Sequence, residues 1–471
     1  MKQVPITPVP IDRLESLIGA ERQEAARRLA TAASSELGGT TVWNVNSTAA
    51  GGGVAEMLAV LVAYAEGAGI ICKWLVTEGD PEFFAITKRI HNFLHGSRVR
   101  GELGKAEHDH YEEVTAGNAA ALRDHVKAGD IVILHDPQTA GLAKTVQDIG
   151  ATAIWRCHVG RDEFNEAMTL AWDFLRPYVE RADATVFSRA EYAPDWVDLE
   201  HMAVIPPSID PFSPKNQDLD LEQARTLLVA AGVLSGSTRG KPEYVRGDGS
   251  TATLDTTAEL VGDPPDVDTP LVVQVSRWDR LKDHQGVLRG FAEHVLGTPE
   301  GDKAHLLLVG PSVAGVADDP EGQEVLEECT KAWRDLPDEQ RSRVSLVSLP
   351  MEDLEENAAL VNAIQRQAAV MVQKSLVEGF GLTVAEAMWK SRPVVASAVG
   401  GILDQITDGE QGLLLEDPSD LAAFGAAVRR LLGDLDEADR MGQAARERVN
   451  ERFLPDRQLA QWYELLGSLR T

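Results

Sequence analysis

Cysteine is scarce: Cys72, Cys157 and Cys329 are the three in 471 residues, far apart and with no Cys-x-x-Cys pair. Neither a disulfide framework nor a structural zinc is expected, so the three read as reduced thiols. Long apolar runs are missing as well. No stretch of roughly eighteen apolar residues occurs, and Met1 to Pro10 lacks the charged-then-apolar pattern of an export signal. Neither spanning nor export is expected, and the cytoplasm is the default address. Positive charge is in deficit: 45 Lys and Arg stand against 74 Asp and Glu, a net charge of −29. Such a surface repels DNA, RNA and anionic lipid, so no nucleic-acid or membrane partner is expected. Any anionic substrate must be held by a local concentration of cations against that field, which makes each basic residue near a cleft informative.

What is present is a chain too long for one ordinary hydrophobic core, which implies two domains of roughly 200 residues or somewhat more. Hydrophobic residues make up 44% and charged residues 25%, a globular composition. Amphipathic helix is expected from Ile11 to Ala33. Short apolar runs then alternate with longer helical segments: 41–45, 70–76, 131–135, 151–155, 184–187 and 203–205. Strand, helix, strand in succession means a parallel sheet. Four prolines between Pro206 and Pro214 break the pattern and mark a hinge. The polar stretch from Ser235 to Pro270 reads as a long surface excursion. Alternation resumes at 271–275, 305–309, 344–347, 369–372 and 393–396, a second parallel sheet. The expected domains are 1–210, a Rossmann-like domain with leading helices, 211–454, a second Rossmann-like domain, and 455–471, a closing helix free to pack back on the first.

In doubly wound sheets ligands bind beyond the carboxyl ends of the strands, so the residues just after each strand carry the functional information. Gly51, Gly52 and Gly53 follow the first strand and open a helix, where backbone amides can approach a diphosphate. This is not the dinucleotide fingerprint, because Glu56 stands where a third glycine is needed; a flexible strand-to-helix turn explains it equally well. Arg277 and Lys282 follow the first strand of the second domain, placed to clamp a diphosphate leaving group, or else to pair locally with Asp279 and Asp283. Glu378 and Glu386 bracket a Gly379-Phe380-Gly381 turn and Leu382, so two carboxylates and turn amides can face one polyhydroxylated ligand. Thr383 to Glu386 also fits a helix capping box. The pairs Asp218/Asp220, Asp266/Asp268 and Asp434/Asp436 have Asp-x-Asp spacing but lie in polar or helical stretches and read as solvated charge. No metal is required; Mg²⁺ would enter only with a nucleoside diphosphate.

Arg277 and Lys282 followed by Glu378 and Glu386 at this spacing resemble the donor site of family 4 retaining glycosyltransferases of the GT-B fold. Segments 46–56, 82–92, His135-Asp136-Pro137-Gln138, Trp155-Arg156-Cys157-His158 and 208–216 resemble the trehalose glycosyltransferring synthases and the related retaining trehalose phosphorylases. The resemblance implies two Rossmann-like domains whose parallel sheets face a central cleft. It implies that Glu378 binds hydroxyls of the transferred sugar, Gly379-Phe380-Gly381 line its face, and Glu386 holds the donor ribose. It also implies that Arg277 and Lys282 bind the diphosphate and that His158 sits against the reacting sugar, with Asp136, Gln138 and Arg156 toward the acceptor. The implied reaction is glucose transfer from ADP-, UDP- or GDP-glucose to glucose with retention, forming trehalose. A phosphorylase, a transferase with another sugar or cyclitol acceptor, and a non-catalytic sugar-nucleotide sensor stay open at this point. The implied partners are a nucleotide-sugar donor and a small sugar acceptor, and a homodimer is compatible with the sequence.

Overall fold

A computed structural model describes residues 1–49, 52–313 and 320–469. The chain contacts divide it into two compact units: Met1–Ser208 with Glu378–Phe380 and Glu451–Thr471, and Ile209–Val377 with Gly381–Asn450. Three residues from the middle of the chain and its last twenty-odd thus fold with the first unit, a grouping no linear boundary expresses.

The first unit is built on β1 (Lys2–Val4), β2 (Val42–Asn46), β3 (Cys72–Val76), β4 (Ile131–His135), β5 (Thr152–Cys157), β6 (Ala184–Phe187) and β7 (Met202–Val204), in the spatial order β1-β3-β2-β4-β5-β6-β7. All neighbours are parallel except β1, which pairs antiparallel with β3. Strands β2 and β4 are buried at every position because helices cover both faces of a parallel sheet. Packed on it are the helices Pro81–Leu94, started by Asp80 with proline at its first position, and Glu166–Val179, capped by Asn165. Trp155, Trp172, Phe174 and Phe187 fill the core between them and the sheet. The leading helix Glu15–Leu37 is interrupted at Gly19, whose φ of 77° leaves helical space. The closing helix Pro455–Ser468 is tied to it by Arg22, which donates to both oxygens of Asp456 at 2.6 and 2.9 Å.

In the second unit β8 (Glu243–Val245) and β9 (Thr251–Thr253) form a separate hairpin. The main sheet holds β10 (Glu259–Val261), β11 (Leu271–Val275), β12 (His305–Pro311), β13 (Val344–Leu349), β14 (Ala368–Gln373), β15 (Val394–Ser397) and β16 (Leu413–Leu415), in the order β10-β13-β12-β11-β14-β15-β16. Only β10 runs antiparallel, against β13. The stretch 235–270 is therefore not a structureless excursion: it supplies the hairpin and an edge strand. Arg246 beside the hairpin binds Asp353 at 2.5 Å and Glu355 at 3.0 Å, and buried Glu356 accepts from the Thr256 amide at 3.0 Å, which anchors the stretch to the helix Leu354–Gln367.

Both sheets have a topological switch point. From β2 the chain moves to β3 on one side and to β4 on the other; from β11 it moves to β12 and β13, then crosses to β14. Ligands of doubly wound sheets sit beyond the carboxyl ends of the strands at such points.

Candidate active site

At the first switch point the helix Gly53–Gly67 starts beyond β2. Its preceding residue, Gly52, has a φ of 126° and a ψ of 157°, a conformation open essentially to glycine alone. Gly51 lies outside the described residues, and Gly53 is the first helical residue. Beyond β4 and β5 a cluster of polar side chains converges. His135 Nδ1 lies 3.0 Å from His158 Nε2, and His135 Nε2 lies 3.0 Å from Asn44 Oδ1 on β2. The two imidazoles stack with centroids 5.3 Å apart. Burial, reinforced by the positive charge of Arg156, drives both well below the ordinary imidazole range, so they are neutral at physiological pH.

Asp136 adopts a left-handed φ of 63°, unusual for a residue with a side chain. The conformation turns its carboxylate back to accept the His158 backbone N–H at 2.8 Å, while its own N–H donates to the Arg156 carbonyl at 2.8 Å. Burial pushes Asp136 up to about 7 against these favourable contacts. Gln138, like Asp136 and His158, is partly exposed at this edge. Arg156 behaves differently from the expectation that it meets acceptor hydroxyls. It is 0% exposed, donates to the Ile205 carbonyl at 2.9 Å, and points its Nε at His158 Nε2, 3.1 Å away. It touches the histidine, not open solvent.

The turn Glu378–Phe380 joins this group. Tyr192 donates its hydroxyl to the carbonyls of Glu378 and Gly379, at 3.1 and 2.5 Å. A Cβ on Gly379 would stand 3.2 Å from the His158 carbonyl oxygen, tighter than side chains ordinarily pack. Phe380 packs edge-on against Phe453, and Glu378 is 9% exposed.

At the second switch point, beyond β11, the short helical turn Arg280–Lys282 is capped by Asp279. Arg277 is exposed and donates to Asp279 at 3.1 Å, the local pairing that the sequence also allowed. Lys282 is partly exposed, and its carbonyl accepts from Gln274 at 2.9 Å. Asp283 pairs instead with Lys374, a fully buried lysine just beyond β14, and its carboxylate also accepts the Gly286 N–H at the start of the helix His284–His294. This pair locks the cation-bearing loop to the strand that leads to the Gly-Phe-Gly turn. Gly381, with φ 83°, is the N-cap of the helix Leu382–Trp389. The capping-box reading of Glu386 is thereby overturned: Thr383 is inside the helix rather than at its cap, and donates to Gln373 at 3.0 Å. Glu386 is 5% exposed, with Lys215 3.7 Å from one oxygen and Gln365 3.5 Å from the other. Lys390, one turn on, is buried and donates to Gln365 at 2.7 Å and Asn216 at 2.9 Å.

The Asp-x-Asp pairs have other partners. Asp220 caps the helix Leu221–Ala230, Asp218 takes Arg366 at 3.4 Å, Asp268 takes Arg225 at 3.2 Å, and Asp434 accepts the Glu437 amide at 2.9 Å. His135, Asn44, Tyr192 and Lys374 were not singled out from the sequence. The signal for His135 was there, since it ends a strand in the segment His135-Asp136-Pro137-Gln138, but nothing linear joins it to Asn44.

Two doubly wound α/β units with polar groups gathered at each switch point define the GT-B class of glycosyltransferase folds. Solved structures agree: a UDP-forming α,α-trehalose-phosphate synthase from Burkholderia xenovorans, in complex with glucose-6-phosphate, matches 92% of this chain and all of its own with a TM-score of 0.66 at 13% identity. Anabaena HepE, in complex with UDP and glucose, matches 91% and all of its own with a TM-score of 0.58 at 14% identity. A family model described as the trehalose synthase N-terminal domain matches residues 44–194, and one described as glycosyl transferases group 1 matches 262–448. The chain is 36% identical over 451 residues to a trehalose synthase of Rubrobacter xylanophilus, covering 95% of this chain and 93% of that protein. To a trehalose synthase of Thermococcus litoralis it is 34% identical, over 97% of each. A trehalose phosphorylase of Grifola frondosa is 25% identical over 86% of this chain but 54% of its own. The chain belongs to the trehalose synthase family of glycosyltransferases. Among the described residues no helix is long and apolar enough to cross a membrane.

Proposed function

We propose that the protein transfers a glucosyl group from a nucleoside diphosphate glucose to glucose, forming trehalose with retention at the anomeric carbon. Glu386 is the observation that carries the nucleotide part of this reading. It is a carboxylate buried to 5% exposure, it caps no helix, and it suits the two hydroxyls of a ribose, a group that a phosphorylase has no need to bind. Arg277 and Lys282 would neutralise the diphosphate as it leaves, and the amides of Gly381 and Leu382 at a helix start would add to that field. Gly52 and Gly53 open a second helix start suited to phosphate or sugar oxygens. Glu378 and the uncharged His158 would hold hydroxyls of the transferred glucose, with Asp136 and Gln138 toward the acceptor.

In the chemical step, the acceptor hydroxyl oxygen bonds to the glucosyl C1 while the C1–phosphate bond breaks. The acceptor proton passes to the leaving phosphate oxygen on the same face. The protein's contribution is orientation and electrostatics, without a protein-held metal. Product analysis after incubation with glucose and, separately, ADP-, UDP- and GDP-glucose tests this, with trehalose plus phosphate in a further tube. An α,α-linked disaccharide and free nucleoside diphosphate are expected, and the tube that reacts names the base. Reaction in the phosphate tube alone would replace the reading with a phosphorylase, and no turnover in any tube would point to another acceptor or to a sensor.

A further inference from the structure

Arg156 is a cation buried to 0% exposure with no carboxylate within ion-pair distance among the described residues. Its Nη2 donates to the Ile205 carbonyl at 2.9 Å and lies 4.0 Å from Met57 Sδ. The ring of Trp462, on the closing helix, covers its Cζ at 5.3 Å, and Nη1 has no hydrogen-bond partner among the described residues. Burying a charge this way is costly, and cation–π and carbonyl contacts offset only part of the cost. Among the described residues the Arg156 Nε faces one polar ring. That ring is His158, 3.1 Å from Nε, with His135 and Asn44 behind it in line.

We propose that Arg156 is a positioning residue for His158: its sealed, unpaired charge fixes the His158–His135 pair in the uncharged, hydrogen-bonding form, so that His158 offers a sugar hydroxyl the same contact at every working pH. The proposal rests on the sugar-binding role given to His158 above. Protonating His158 would set a second positive charge beside the guanidinium, and protonating His135 one a ring further away, so like-charge repulsion disfavours both. The groups placed against His158 are Arg156 from β5, His135 at the end of β4, Asp136 just beyond it, whose carboxylate accepts the His158 N–H, and Gly379 from the turn against its carbonyl, with His95 also beside that glycine. Asp136 opposes the effect weakly, since its carboxyl, raised to about 7, is largely protonated below that pH. Burial drives both imidazoles in the same direction as the guanidinium.

The experiment is an NMR titration of the histidine Cε1–Hε1 signals in the full chain without substrate, with His158→Gln and His135→Gln to assign the two resonances. In the wild type neither is expected to titrate between pH 5.5 and 8. In Arg156→Met the His158 midpoint is expected to rise into the titrated range while burial still holds it below the ordinary imidazole value, and kcat to gain an acid limb at the same midpoint, whereas Arg156→Lys stays flat. Trp462→Leu, which uncovers the guanidinium to solvent, moves the midpoint part of the way and serves if Arg156→Met does not fold. A wild-type His158 that titrates near 6.5, or one whose silence survives both variants, overturns the proposal. Absence of trehalose formation would strike the transferase reading and leave the titration result standing.

Discussion

The two switch points handle charge in opposite ways. In the second unit nearly every charged group near the strand ends is matched: Arg277 with Asp279, Lys374 with Asp283, Lys215 with Glu386, and Arg280 with Glu324 and Glu328. In the first unit, beside the ends of β4 and β5, charge is suppressed: two imidazoles are held neutral, a carboxyl is raised to about 7, and the Arg156 guanidinium is sealed away. Under the proposed function, the contrast suits each half to a different part of the substrates. Matched ion pairs can be partly exchanged for the charges of an incoming diphosphate. Neutral donors and acceptors suit hydroxyls, whose binding gains direction from hydrogen bonds and nothing from net charge.

The strongest way to break this comparison is to unpair the second unit. Lys374→Met leaves the Asp283 carboxylate without its buried partner and should cost roughly 3–5 kcal/mol in urea unfolding; a loss under about 1 kcal/mol would mean that the pair does not anchor the loop. Next in size, Glu378→Gln and Lys282→Ala should each lower turnover by about tenfold or more with unchanged circular dichroism. Near-wild-type rates in both would remove the site assignment.

A subtler effect sharpens the first half. The folded state holds a proton on Asp136 up to about pH 7, against an ordinary value of 3.8. Between these two values the folded chain binds more protons than the unfolded one, so this residue's ionisation subtracts stability as pH rises from about 4 to 7. Asp136→Asn should therefore gain on the wild type in urea midpoint across that window and run parallel to it above pH 8. A constant difference at all pH values would refute the raised carboxyl. Smallest of all, Arg280→Ala breaks only exposed pairs with Glu324 and Glu328 and should leave the unfolding midpoint nearly where it is; a large drop would show that pairing in the second unit is structural throughout.

Much of this was legible in the chain. The central strands announce themselves as apolar runs because a parallel sheet is buried on both faces, and the residues just beyond them are where the polar clusters stand. The edges were not legible. Strands β1 and β10 are three residues each, half-exposed and antiparallel, so neither apolar pattern nor length marks them, and the 235–270 stretch hid a hairpin that side-chain pairs from Arg246 and Glu356 hold in place. Glu386 fitted a local capping rule that the structure breaks, because the left-handed Gly381 starts the helix before Thr383. Arg156 was placed toward the acceptor by the family resemblance alone. Its actual surroundings come from Met57, Ile205 and Trp462, which only folding brings together.

Trp462 has a consequence for the timing of synthesis. The ring that closes over Arg156 lies 306 positions further along the chain, and the Arg22–Asp456 pair spans 434. A nascent chain can assemble its first sheet early, with the strands from β2 to β7 all in the first 204 residues, but the guanidinium behind His158 stays uncovered until the last helix leaves the ribosome. The second unit is meanwhile complete in sequence before that helix appears. The first unit is thus completed by residues that follow the whole of the second, and a chain cut before Pro455 carries every residue of the candidate site without the ring that covers Arg156.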